Sequence, residues 1–331
     1  MKKIILLVVY YGKWPDWINL FIETCKWNPT IDWLLISDCA EPENKCKNVK
    51  YIHIPAEELN KLVSSKLGIN FKLKDPYKLC DLKTAYGTIF EDFIVGYDYF
   101  GWAETDVFYG NIRKFLTDDL LKYDSISIGK LFLSNFFLLL RNSVEMRSSY
   151  LKIEGWKEKM ASEAYFILED LEFIKVLNKE RIYMKEFFTT PSCTIAPWRD
   201  GTFVYPSEWY WCRGRLTNNK DLGTEFLLFH SMVWKRNFWE KHSNGGPSKK
   251  HKRIVNVEYR DAENGWKINK KGIFKRENTL EEYLFFELSR VVLISRVIIE
   301  RLGLRSAIKN RRFLLNLHRR CRSYFINYQA D

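Results

Sequence analysis

The sequence predicts an α/β fold built on a mainly parallel sheet with flanking helices and a helical, basic C-terminal appendage. Three observations carry this expectation. A continuous apolar run occurs at 4–11, as a strand covered on both faces requires, and largely apolar strands are expected at 32–37 and 97–103. Segments of helical period separate them. Strands and helices alternating at these lengths imply βαβ units.

The first run, 4–11, is too short and lacks the small-residue site of a cleaved leader, so it is expected to be a buried strand. Gly12 to Pro15 turn the chain, and Trp17, Ile18, Phe21 and Cys25 recur at helical spacing. A second strand is expected at 32–37, a third at 49–54 and a short helix at 56–67. Pro76 opens a predicted long helix to about residue 95, with Leu79, Leu82, Tyr86, Ile89, Phe90 and Phe93 on its apolar face. The strand 97–103 then delivers Glu104 and Asp106.

Further on, the patterning predicts a helix at 112–123, strands at 125–128 and 131–140, and an amphipathic helix at 162–177 carrying Glu163, Glu169 and Asp170. Residues 185–235, rich in aromatics, Gly and Pro, read as strands and loops. Residues 241–252 are a polar, Gly-rich loop, and 254–276 form a hairpin around Asn264-Gly265. From Leu280 the pattern is helical. Two domains follow: an α/β domain over 1–240, and the hairpin with the basic helical region over 254–331.

Composition narrows the function. Of 331 residues, 46% are hydrophobic and 28% charged, and no run reaches the length of a transmembrane helix. Seven cysteines, an odd number with no C-x-x-C spacing, support neither a disulfide framework nor a structural zinc site, and a reducing cytosol fits them. Residues 251–331 carry 18 Lys and Arg against 9 Asp and Glu, most of the net charge of +12. That places an anionic contact at the C-terminus, with peripheral membrane binding through residues 280–325 as the expectation. No helix-turn-helix, zinc finger or RNA-binding aromatic signature accompanies the charge, which argues against nucleic acid.

In open α/β sheets, ligands bind beyond the carboxyl ends of the strands. Tyr11-Gly12-Lys13, Ser37-Asp38 and Glu104-Thr-Asp106 all fall at such ends. Two carboxylates one residue apart offer hard oxygen ligands suited to Mg²⁺ or Mn²⁺. Equally, the pair can cap its strand and bridge to Arg113 and Lys114. Lys78 and Asp81, three apart on a helix, can be a surface ion pair, and His230, after an apolar strand, a satisfied polar group. Trp209 and Trp211 can stack on a sugar or pack one strand face.

The ordered motifs Tyr10-Tyr-Gly-Lys-Trp-Pro-x-Trp17, Asn28-Pro-x-Ile-Asp-Trp33, Ser37-Asp-Cys39, Tyr77-Lys-Leu-Cys-Asp81, Tyr86-Gly87 and Phe108-Tyr-Gly-Asn-Ile112 carry a resemblance. Over residues 4–235 the chain resembles a bacterial GT-A-type glycosyltransferase-like family of unknown function (DUF6625-like), associated with polysaccharide biosynthesis loci. It is more distantly similar to the Asp-x-Asp glycosyltransferases.

The resemblance implies a GT-A-like (Rossmann-like) fold and sugar transfer from a nucleotide diphosphate donor, UDP above others. The cofactor would be Mn²⁺ or Mg²⁺, and the acceptor a surface glycan or lipid-linked saccharide at the cytoplasmic face of the membrane. Asp106, Glu104 and His230 would hold the metal. Tyr11, Gly12 and Asp38 would line the nucleoside, Lys78, Asp81 and Glu104 the phosphate, ribose or donor sugar, and Glu169 or Asp170 would act as base or orienting group. Three departures stand out: Glu104 where the family has Asp, Asn111 in Gly110-Asn-Ile112 where it has Asp, and the downstream pair Glu169-Asp170, inverted from the family's Asp-Glu. They keep open a catalytically inactive scaffold of the same fold.

Overall fold

The computed structural model of the chain describes residues 1–127, 136–179, 183–184, 207–219, 225–235, 239 and 253–276. The expected loop at 241–252 and the basic helical region from Leu280 lie outside these residues.

Strands β1 (Ile4–Tyr10), β2 (Ile31–Ser37), β3 (Val49–His53) and β4 (Tyr99–Ala103) lie side by side, in the order β3-β2-β1-β4, all parallel. The register sets Tyr10 beside Ser37 and Ser37 beside His53, so these strands end on one edge. A short strand β5 (Val107–Tyr109) follows β4 at once. Beyond β4 the sheet turns antiparallel through β7 (Phe137–Arg141) to β6 (Ser125–Ser127), and β8 (Tyr183–Met184) closes it parallel to β6. The fold is a mixed α/β fold. The expected parallel arrangement holds for the four strands that position the site and gives way after them.

Alternation explains the unbroken apolar runs. Ile5, Leu7, Leu34, Ile36, Phe100 and Trp102 face one core with Leu59, Val63 and Leu67 of α2 (Ala56–Leu67). Ile4, Leu6, Val8, Trp33 and Leu35 face another with Ile18, Phe21, Ile22 and Cys25 of α1 (Ile18–Lys26). Successive side chains point to opposite faces, and both faces are covered over Ile4–Val8 and Trp33–Ile36, so those positions are apolar without a break.

The long helix expected over 76–95 is instead four short pieces: α3 (Lys78–Leu82), a 3₁₀ turn Lys83–Ala85, α4 (Tyr86–Ile89) and a 3₁₀ turn Glu91–Phe93. Short turns that keep one face inward repeat apolar residues as a single helix does, so periodicity cannot separate them. Gly87 marks the tight place, where a Cβ would lie 2.5 Å from the Phe100 ring.

Likewise 112–123 holds two 3₁₀ turns, Ile112–Lys114 and Leu120–Lys122, the first capped by the Asn111 side chain accepting from Lys114 N. The helix expected from residue 162 begins only at Leu168, as a π turn to Glu172, and continues as Phe173–Lys179. Phe166 before it and Leu168 at its start donate their N–H groups to the Asp81 carboxylate. The strand expected at 131–140 is described from Phe137, and residues 128–135 lie outside the described set.

A second sheet collects β9 (Glu208–Cys212) and β10 (Arg215–Asn218). Strand β11 (Leu228–His230) pairs with β5. Strands β12 (Val255–Asn256), β13 (Trp266–Asn269) and β14 (Gly272–Lys275) complete the second sheet in the order β10-β9-β13-β14-β12. The hairpin is present, but Lys270-Lys271 makes its turn. Asn264-Gly265 lies ahead of β13, where Gly265 has φ +75 and a Cβ would sit 2.3 Å from Trp211 O. Through β13 and β9 these strands belong with the preceding residues. Trp209 and Trp211 are fully buried here, and Trp211 stacks on Trp266 at 4.0 Å, so both serve packing.

Candidate functional site

The apolar strand β4 ends at Ala103, and the next three residues turn the chain into β5. Their backbone is pinned from two sides. Trp17 Nε1 donates to Thr105 O at 3.0 Å, and Ser231 donates to Asp106 O through both its N–H and its hydroxyl at 2.9 Å. Antiparallel pairing of β5 with β11 sets His230 opposite Val107, next to Asp106. The fold thereby brings residues 126 positions apart into one cluster.

Glu104, Asp106 and His230 each aim a ligand atom at the cluster, and these atoms lie within 4.8 Å of one another. His230 Nε2 stands 3.4 Å from Asp106 Oδ1 and 3.7 Å from Glu104 Oε2, and Phe136 stacks on the imidazole at 4.2 Å. Asp106 and His230 are buried, yet Asp106 Oδ1 and both ring nitrogens of His230 make no hydrogen bond. Buried polar atoms left without a hydrogen bond call for an explanation. Two carboxylates and an imidazole are a donor set for a divalent cation, so these residues fit the group.

Arg113 and Lys114 do not pair with the two acids. Arg113 donates to Thr30 and to Lys2 O, and Lys114 bridges to Glu225. The partners are two lysines that the sequence pattern alone did not single out. Lys83, almost entirely buried, pairs with Glu104, and Lys235 Nζ lies 2.6 Å from Asp106 Oδ2. Burial pushes the Asp106 carboxyl upward, but Lys235 and His230 outweigh it and hold the acid well below the usual carboxylate range. Burial likewise pulls the Lys83 ammonium down, and the fields of Cys80, Glu104 and Glu169 more than restore it. One sequence signal existed for Lys83. It sits four residues after Leu79 and three before Tyr86, on the apolar face, where a lysine is anomalous.

Tyr11, Gly12 and Asp38 are brought together at the ends of β1 and β2. Gly12 N donates to Asp38 Oδ1 at 2.9 Å, and the Cys39 thiol donates to Gly12 O at 3.1 Å. Gly12 has φ +111, and nothing lies within 4 Å of where a Cβ would be. The Tyr11 hydroxyl is engaged by Ile54 O at 2.8 Å. Beside them the rings of Tyr10 and Trp14 stack at 5.0 Å.

Lys78 and Asp81 form a fully buried pair at 2.9 Å, not a surface one. Lys78 also donates to Lys159 O and Ala164 O, while Asp81 accepts from Phe166 N and Leu168 N. Their bonds hold the 159–168 segment in place.

Glu169 and Asp170 lie outside the Glu104–Asp106–His230 cluster. Glu169 is fully buried and accepts the Tyr165 hydroxyl at 2.6 Å through Oε1, while Oε2 has no hydrogen bond. Burial raises its pKa against the pull of Lys83. Asp170 is raised to about 7, first by burial and then by the charge of Glu169, with Glu104 adding to it.

Cys25, Cys39, Cys46, Cys80 and Cys212 are free thiols. Among the described residues no helix is long and apolar enough to cross a membrane. The basic segment 280–325 lies outside them.

No curated protein matches the chain. Among solved structures it is similar to the apo-form glycosyltransferase GlyE in Streptococcus pneumoniae TIGR4, with 15% identity and a TM-score of 0.34 over 68% of this chain. The match spans 54% of that chain, about half its length. Residues 6–195 match the model of a family of unknown function, DUF6625, and the chain belongs to that family.

Proposed function

We propose that the chain moves a sugar from a nucleoside diphosphate donor, UDP first among them, to a hydroxyl of a bacterial surface glycan or lipid-linked saccharide. The observation that carries this reading is the convergence of Glu104, Asp106 and His230 beyond β4, with Asp106 Oδ1 and both His230 nitrogens buried and lacking hydrogen bonds. In this reading the three residues hold Mn²⁺ or Mg²⁺, which when bound supplies the charge that lets a diphosphate leave. Gly12 and Asp38 orient the ribose and base, with the Tyr10–Trp14 stack beside them. Glu169 and Asp170 serve the acceptor. A carboxyl with pKa about 7 is matched to taking a hydroxyl proton near neutral pH. The basic C-terminal sequence would hold the protein at the inner face of an anionic membrane.

The test is a thermal-shift titration with UDP, GDP and CMP, each with Mn²⁺ and with EDTA. Ligand that binds only the native state raises the melting temperature by mass action. Stabilisation by one diphosphate nucleotide that requires the metal and disappears in Asp106→Ala is expected. A flat response to every nucleotide would favour a second reading, a non-catalytic scaffold of the same fold. That reading draws on Lys83 and Lys235, which already match both carboxylates in charge.

A further inference from the structure

We infer that Tyr77, Tyr165, Phe166, Ile167 and Leu171 form a platform that stacks a neutral saccharide beside Glu169. These five apolar side chains are 37–58% exposed. Scattered apolar residues on a surface need no explanation, but a cluster on one short segment does. The rings of Tyr77 and Tyr165 meet at 6.3 Å.

The platform is held from beneath by the buried Lys78–Asp81 pair. Lys78 donates to Ala164 O at 2.7 Å, Asp81 accepts from Phe166 N and Leu168 N, and the ammonium lies 5.1 Å from the Phe166 ring centre. A desolvated ion pair thus supports side chains that face water. The backbone above it is unusual twice over. Ile167 takes φ +58, a left-handed conformation that is an outlier for a β-branched residue. A π turn follows at once, an element concentrated at functional sites.

The chemistry selects the occupant. Aromatic faces stack on the C–H faces of a sugar ring, while phenol and carboxylate bond its hydroxyls. The Tyr165 hydroxyl is tied to Glu169 Oε1, which leaves buried Oε2 without a hydrogen bond among the described residues. Two of the flanking lysines are matched by neighbouring carboxylates, Lys74 with Glu163 at 2.5 Å and Lys175 with Glu172 at 2.9 Å. The surface accordingly suits an uncharged ligand better than a phosphate-bearing one. Lys83, paired with Glu104, also acts on Glu169 and Asp170, so the platform neighbours the metal-type cluster. If glycosyl transfer is the activity, the bound saccharide is its acceptor; that clause alone rests on the proposed function.

The test uses the full chain on a printed glycan array, followed by saturation-transfer NMR with any glycan retained. Tyr77→Ala and Phe166→Ala remove exposed rings, and circular dichroism checks their folding. UDP with Mn²⁺ is run on the same preparations by thermal shift, and phosphatidylcholine–phosphatidylglycerol vesicles form a separate arm. We expect a neutral glycan to bind, to receive magnetisation from aromatic protons, and to lose about tenfold in affinity in each variant, with nucleotide response unchanged. An array with no retained glycan overturns the platform, and so does glycan binding that survives both substitutions. Vesicle binding that both substitutions abolish, without glycan binding, assigns the patch to lipid and also overturns it. Glycan binding lost in the variants, with no nucleotide response in any form, upholds the platform and sinks the donor reading alone.

Discussion

One carboxylate, Asp106, meets two partners: Lys235 Nζ lies 2.6 Å from Oδ2 while His230 Nε2 lies 3.4 Å from Oδ1. The lysine therefore competes with any cation that His230 and Asp106 would share. A charge-assisted hydrogen bond contributes about 1.5–3 kcal/mol. Lys235→Met is expected to tighten Mn²⁺ binding by about ten- to a hundredfold, read by titration calorimetry. Weaker or unchanged Mn²⁺ binding would show that Asp106 is not a metal ligand.

Glu104 is tied to Lys83, whose side chain is 7% exposed. Glu104→Gln leaves that ammonium buried without its nearest counter-charge, and breaking a buried pair from one side costs about 3–5 kcal/mol. Urea unfolding should report a loss of this size. Glu104→Asp should keep most of the stability, since the charge remains.

Asp170 links pH to stability. Its folded pKa of about 7 stands above the ordinary 3.8 because burial, and next the charge of Glu169, disfavour the ionised form. Between those values the unfolded chain releases its proton first, so stability falls as pH rises from about 4 to about 7 and is level on either side. The full shift corresponds to about 4 kcal/mol, and the remaining solvent contact reduces the expected effect to about 2 kcal/mol. Asp170→Asn should match the wild type only below about pH 4, gain on it as the pH rises to about 7, and exceed it by the full margin at about pH 8. Equal stability of the two at pH 8 would contradict the assignment.

Gly101 sits in β4, three residues before Glu104, where a Cβ would lie 1.9 Å from Leu138 O. That oxygen belongs to the neighbouring strand and cannot retreat without breaking the pair. Gly101→Ala should cost at least about 3 kcal/mol and weaken every ligand of the cluster together, measured by unfolding and by calorimetry on the same sample.

The strand core was legible because it is doubly covered. Ile4 to Val8 and Trp33 to Ile36 have no solvent face, so their apolar runs have no reading other than a buried element. Helix lengths were not legible. Leu79, Leu82, Tyr86 and Ile89 keep the same inward face whether the chain winds continuously or in short turns, and it is Gly87 against Phe100 that marks the crowding around those turns. Lys78 and Asp81 show the same limit at the site. Their spacing says they can pair, while only the packing of 159–168 over them decides that the pair is buried.

By itself, then, the sequence determined the alternating α/β order, the strand ends at Tyr11, Asp38 and Glu104, and the acid pair, because local apolar period and chain direction suffice for these. The tertiary structure set the geometry in which His230 meets the pair, and it alone decided that Lys83 and Lys235 neutralise it and that Tyr77 meets Tyr165. Each of these contacts spans 21 or more residues, and long-range pairing depends on which strands and turns dock together, which no local pattern encodes.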